Sequence, residues 1–170
     1  MKIAIISDIH NNLVNFKKVL DYCGLNDVKK IICCGDLASL EMLDFLNDNF
    51  GGEIFYVFGN MDNDFLRKHP FENETYKKTK IFRNFGEAKI GESRIAFTHF
   101  PEVARKLGAT GKYDFVFYGH THKPWEENVR DCKMLNPGNV AGEIYPATFA
   151  VWETENNKVE LVKINQLIYD

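Results

Sequence analysis

The chain has 170 residues, 45% of them hydrophobic and 26% charged, with a formal net charge of −3 at pH 7. That length buries a single-domain core without disulfides or structural metal, so residues 1–170 are expected to form one domain. The charge balance leaves no electrostatic footprint for a nucleic-acid backbone or an anionic membrane surface.

At the N-terminus an apolar run of four residues, Ile3-Ala4-Ile5-Ile6, precedes Ser7-Asp8. A secretory leader needs roughly 7–15 apolar residues and a membrane span about 20, so the expected location is the cytoplasm. Ile3–Ser7 reads as a parallel strand covered on both faces. Leu13, Phe16, Leu20 and Cys23 recur at helical spacing, with Gly24 as a stop. Ile31–Cys34 is the next strand, in which Cys33 and Cys34 must point to opposite faces. Leu37, Leu40, Leu43 and Leu46 mark a second helix ending near Gly51-Gly52, and Ile54–Phe58 a third strand. Asn63–Lys80 is polar, carries His69-Pro70, and reads as an irregular surface excursion. Ala88–Ile90 and Arg94–Thr98, separated by Gly91-Glu92-Ser93, read as a hairpin. Val103–Leu107 is a short helix closed by Gly108, and Phe115–Tyr118 another buried strand. Phe149, Val151, Val159 and Leu161, about the turn residues Asn156-Asn157, predict a terminal antiparallel hairpin. Together these elements make one two-layered β domain flanked by helices. The cysteines, with no Cys-x-x-Cys pair among them, read as small buried hydrophobes.

Potential metal donors follow the strand signals at a common edge. Asp8 and His10 follow Ile3–Ser7, Asp36 follows Ile31–Cys34, and Asn60 follows Ile54–Phe58. His99 ends Arg94–Thr98, and His120 and His122 follow Phe115–Tyr118. Ligands of α/β sheets collect at the carboxyl ends of strands, so these seven side chains are expected to converge. The i, i+2 spacing within Asp8/His10 and His120/His122 would put each pair on one face if the backbone there is extended. Gly35, Gly59 and Gly119 each precede a donor, where glycine allows a sharp bend or a close approach. Any one of these features alone reads as a helix cap, a turn or an exposed histidine. Jointly they exceed what a single zinc site requires and suit two metals sharing a carboxylate. Imidazole, carboxylate and amide donors without thiolate suit Mn2+, Ni2+, Fe2+, Co2+ or Zn2+ without choosing among them; two divalent ions are expected, Mn2+ foremost.

With those motifs in view, the chain resembles the calcineurin-like metallophosphoesterases, in the small YfcE-type phosphodiesterase branch. The family pattern is Asp-x-His, Gly-Asp, Gly-Asn-(His/Asp)-(Asp/Glu), a later His and Gly-His-(Thr/Ser)-His. The resemblance runs over nearly the whole chain, including Asn136-Pro137-Gly138. It implies an α/β fold, a four-layer α/β/β/α sandwich of two mixed β-sheets flanked by helices. By carry-over, one metal takes Asp8, His10, Asp36 and His122, and the other takes Asp36, Asn60, His99 and His120, with Asp36 bridging. Met61 stands where many members have His, Asn11 where Gly is common, and Phe100 where a glycine often follows the later His. Asn12 matches a family Asn that either caps the next helix or touches substrate.

The expected activity is hydrolysis of a small phosphodiester at a dinuclear metal centre. The nucleophile would be a metal-bound hydroxide, with no catalytic side chain beyond it. Asn60 would both ligate and contact the phosphoryl group. A thioether cannot donate a proton, so Met61 disfavours monoesters with poor leaving groups. Neither a Gly-x-Ser-x-Gly elbow nor a Walker-type loop occurs. A non-catalytic Vps29-like scaffold on the same fold is the alternative, and a nuclease a weaker one for want of a basic stripe. No membrane partner is expected, and homo-oligomerisation is left open.

Overall fold

In β1 (Lys2–Ile6), Ile3 and Ile5 enter one core while Ala4 and Ile6 enter another. This is the period-two consequence of a strand buried on both faces, and it sets the layering of the molecule. The computed structural model describes residues 1–62 and 76–167. Within them, β1 is followed by β2 (Val28–Cys33), β3 (Glu53–Val57) and β4 (Thr79–Phe82), which pair in parallel in that order. Antiparallel β10 (Thr148–Glu153) and β11 (Lys158–Lys163) complete a six-stranded sheet, β11-β10-β1-β2-β3-β4.

The second sheet has the order β5-β6-β7-β9-β8. Its strands are β5 (Phe85–Ile90), β6 (Ser93–Thr98), β7 (Phe115–Phe117), β8 (Trp125–Val129) and β9 (Cys132–Asn136). β6, β7 and β9 run parallel, and β5 and β8 are antiparallel edges. Between the sheets pack Ile3, Ile5, Phe97, Phe117 and Trp152, all fully buried. Helices α1 (Leu13–Leu25) and α2 (Leu40–Asn49) cover the outer face of the first sheet, and α3 (Pro101–Gly108) that of the second. The result is the expected α/β/β/α sandwich of two mixed sheets.

Cys33 faces the helix-side core and Cys34 the inter-sheet core, as the alternation requires. All four thiols are buried, and burial pushes Cys23 up to about 12 and Cys132 up to about 11.

Several boundaries differ from expectation. Gly24 does not stop α1; the helix runs to Leu25, and the Asn26 backbone N–H closes its last turn on the Tyr22 carbonyl. Leu37 lies in a loop, because the Ser39 hydroxyl accepts from Met42 N and caps α2, which starts at Leu40. Lys80 belongs to β4 rather than to an irregular excursion, whose residues 63–75, with His69, lie outside the described ones. The β8–β9 hairpin was not signalled by the sequence. β8 is a polar, largely exposed edge strand, and its turn uses Arg130 at φ 55° rather than glycine. Among the described residues no helix is long and apolar enough to cross a membrane.

Trp152 joins the two sheets at their centre, its ring centroid 4.9 Å from that of Phe115. Trp152→Ala should therefore cost about 3–5 kcal/mol, read as a lower urea midpoint at unchanged slope. A loss below about 1 kcal/mol would mean that the sheets do not depend on this contact.

Candidate metal centre

β1, β2 and β3 deliver Asp8, Asp36 and Asn60 from one sheet, and β6 and β7 deliver His99 and His120 from the other. The sheets are stitched here by the His99 ring, whose Nδ1 lies 2.8 Å from the Cys34 carbonyl. A carbonyl only accepts, so Nδ1 carries the proton and Nε2 presents a lone pair when the ring is neutral. That Nε2 lies 2.9 Å from Asn60 Oδ1, 3.3 Å from Asp36 Oδ2 and 3.2 Å from His120 Nδ1. His120 Nδ1 is likewise 2.9 Å from Asn60 Oδ1.

A second set adjoins the first. His122 Nε2 and His10 Nε2 stand 3.3 and 3.7 Å from Asp8 Oδ1, and His10 Nε2 is 3.6 Å from Asp36 Oδ2. Nδ1 of His122 faces the Glu143 carbonyl at 3.4 Å, which turns Nε2 inward. Asp8 Oδ1 and His10 Nε2 are buried without a hydrogen-bond partner. Donor atoms of Asp8, His10 and His122 lie within 4.8 Å of one another, as do those of Asp8, Asp36 and His99. All seven residues expected to converge are thus brought to one place.

The backbone achieves this differently from the expected extended spacing. Asp8 and His10 have φ of 55° and 46°, and His120 and His122 have φ of 72° and 59°. Each pair therefore converges because the chain coils left-handed after its strand, not because alternate residues share a face. Asp36 at 58° and Asn11 at 60° do the same, and Asp, Asn and His tolerate this region better than most residues. Gly35 itself has φ 101°. Gly59 and Gly119 serve through close approach: a Cβ on Gly59 would strike the Asp36 carboxylate, and one on Gly119 the Ser7 hydroxyl.

Supporting groups were less legible in sequence. The buried Asp62 carboxylate accepts from the backbone N–H of Asp36 at 2.9 Å, Ala38 at 2.9 Å and Gly59 at 2.6 Å. It thereby ties the loop after β2 to the loop after β3. Asn139 donates to the His122 carbonyl, and Asn136 to the Gly119 carbonyl and Thr121 hydroxyl. An isolated Asp or Asn in a loop reads as a turn residue, so only burial identifies these roles. Asn12 caps α1 through its Oδ1, which accepts from Asn15 N, and its Nδ2 donates to the Ala141 carbonyl. One amide hydrogen of Asn12 is left by these bonds.

The electrostatics follow from the crowding. Burial alone would raise Asp8, yet the His10 and His122 imidazoles beside its carboxylate hold it far below the usual carboxylate range. The Asp8 carboxylate beside them pushes His10 and His122 above the ordinary imidazole value of 6.5 against the opposing effect of burial. Burial pulls His99 down, but Asp36, Asp8 and the Cys34 carbonyl outweigh it and leave it raised.

Residues 1–157 match the calcineurin-like phosphoesterase superfamily domain. A phosphodiesterase of Methanocaldococcus jannaschii is 29% identical, over 93% of this chain and 96% of its own length. The phosphodiesterase YfcE of Escherichia coli K12 is 24% identical, over 83% of this chain and 80% of its own length. Among solved structures, an archaeal phosphodiesterase superposes with a TM-score of 0.86 at 28% identity, covering 96% of this chain and 99% of its own.

The sign of the pH dependence is fixed by these shifts. In chelator-treated protein, raised imidazoles contribute stability that is full below pH 6.5 and lost as pH rises through their folded values. Asp8, being lowered, contributes above its ordinary 3.8 and loses that contribution as pH falls through its folded value. Imidazole NMR titration should place His10, His99 and His122 above 6.5, with Tm falling as the pH passes upward through them. Ordinary titration with a flat Tm would contradict this geometry.

Proposed function

Because the chain belongs to the calcineurin-like phosphoesterase superfamily, we propose that it is a phosphodiesterase working with two divalent cations, Mn2+ foremost. The observation that carries this reading is the convergence of lone pairs with too few protons to share. His99 Nε2, Asn60 Oδ1 and His120 Nδ1 crowd one side, and the unpartnered Asp8 Oδ1 and His10 Nε2 the other. Such an arrangement is repulsive unless a positive charge lies among the donors. Asp8, His10 and His122 would hold one cation, and Asn60, His99 and His120 the other. Asp36 Oδ2, between His10 and His99 at 3.6 and 3.3 Å, would serve both.

Bound cations would supply Lewis acidity toward water and charge neutralisation at the phosphoryl oxygens. The chain's own groups orient the reaction. Asp8 stays anionic across the neutral range because the His10 and His122 imidazoles lie beside it, so the cluster keeps its negative charge. The Cys34 and Glu143 carbonyls fix the tautomers of His99 and His122. With Oδ1 facing the two imidazoles, Asn60 has its amide N–H free to donate to a phosphoryl oxygen. Met61 is half-exposed beside it and offers no proton to a leaving alcohol, which favours diesters with good leaving groups over monoesters. Asn12, with one remaining amide hydrogen, is a secondary substrate contact. A cytoplasmic location completes the reading. A scaffold that had abandoned turnover would be free to lose donors, and here every one of the seven positions holds one.

Activity on a chromogenic phosphodiester should vanish with EDTA and return with Mn2+; a chelator-insensitive rate would refute metal dependence. Asp36→Asn should lower metal content at both positions and cut kcat/KM by more than the roughly 10–100-fold that loss of a supporting partner costs. His10→Ala should empty mainly one position, so equal, mild losses in both variants would contradict the bridging role. Met61→His should raise monoesterase relative to diesterase activity, and an unchanged ratio would discard the missing-donor explanation.

A further inference from the structure

Nine large apolar side chains are exposed among the described residues, and five of them, Leu13, Val14, Met61, Ile144 and Tyr145, stand on segments joined to the donor loops. Leu13 and Val14 open α1 three and four residues after His10, and Asn12 and Asn15 anchor that first turn to the Val140 and Ala141 carbonyls. Met61 follows Asn60. Ile144 and Tyr145 follow Glu143, whose carbonyl faces His122 Nδ1. The carboxylates of the cluster, in contrast, have only imidazoles as ion-pair partners among the described residues. Lys123, next in sequence to His122, lies over the Trp125 ring instead.

Ile144 is the most informative of the five. It is 85% exposed and has φ 66°, a conformation that β-branched residues adopt at particular cost. Its loop is firmly held. Asn139 Oδ1 accepts from Gly142 N and Glu143 N, Asn139 Nδ2 donates to the His122 and Tyr145 carbonyls, and Tyr145 N donates to the Glu143 carbonyl at 2.7 Å. Asparagine or glycine would suit that backbone better, and burial offers the isoleucine nothing. Strain retained in a rigid loop beside a reactive centre points to a role in recognition.

We infer that the diester taken by this centre carries an apolar alcohol group, which packs on Ile144 and the apolar side chains around the cluster while the phosphate lies at the donors. This rests on the phosphodiesterase reading and narrows it: the substrate is a singly charged phosphodiester with a hydrocarbon arm, not a polyphosphate. Ile144 sets specificity and takes no part in the bond-breaking step.

The test compares methyl and hexyl p-nitrophenyl phosphate on Mn2+-loaded protein, two diesters with the same leaving group. The hexyl ester should have the higher kcat/KM by about tenfold, in keeping with partial burial of a few methylenes. Ile144→Asn should cut that preference about threefold or more while leaving the methyl ester within about twofold and Tm unchanged or higher, since asparagine accepts positive φ. Leu25→Gln, at the far end of α1, should leave the preference intact. Calorimetry with dibutyl against dimethyl phosphate should show the same preference without turnover. Equal kcat/KM for the two esters, or a preference unmoved by Ile144→Asn, overturns the inference and leaves the phosphodiesterase reading standing. A lower Tm with both esters equally impaired marks Ile144 as structural and also overturns it. Failure to turn over either ester defeats the phosphodiesterase reading itself, and this inference with it.

Discussion

Electron-pair donors from two sheets meet at one point, and the fold holds them closer than they would choose to be. Asn60 Oδ1, His99 Nε2 and His120 Nδ1 approach one another within 3.2 Å, and Asp8 Oδ1 and His10 Nε2 are buried with no partner. Without positive charge this crowding is unfavourable, so its persistence must be enforced from outside the donors. The enforcement is backbone hydrogen bonding from buried side chains, chiefly Asp62 across two loops and Asn139 across a third. Protonated imidazoles can stand in for metal, which is why His10, His99 and His122 bind protons more tightly than ordinary histidines.

The same demand explains the strain around the centre. Five of the seven donors, Asp8, His10, Asp36, His120 and His122, have left-handed backbone. Such a cluster of unfavourable dihedrals is tolerated because two packed sheets over-determine the loop ends. Gly59 lets the ends of the paired strands β2 and β3 close up where a side chain would collide with Asp36, and Gly119 lets β7 touch β1 of the other sheet where one would collide with Ser7. Stability is thus stored in the inter-sheet core around Trp152 and Phe97 and drawn on at the strand termini.

How much of this was legible in sequence depends on the kind of signal. Ile3, Ile5 and the adjacent Cys33 and Cys34 announce their faces through simple alternation, so β1 and β2 could be read directly. Donors at strand ends were legible because each follows an apolar run. The β8–β9 hairpin was not, since an edge strand such as Trp125–Val129 needs no apolar alternation and its turn lacks glycine. The start of β4, Thr79-Lys80, was hidden in a polar stretch because the strand is short and lies at a sheet edge. Pairing within Asp8/His10 was anticipated for the wrong reason, because positive φ at a non-glycine residue is imposed by tertiary structure. Asp62 fills the last position of the Gly-Asn motif, but its role was not legible for a related cause: that role exists only once two loops distant in sequence are adjacent.

We propose that this one patch holds two cations with Asp36 between them. Anomalous diffraction from crystals of the Mn2+-loaded protein tests it most directly. Two peaks are expected about 3.5–4 Å apart, one among Asp8, His10 and His122 and one among Asn60, His99 and His120. A single peak, or manganese bound away from these side chains, would contradict it.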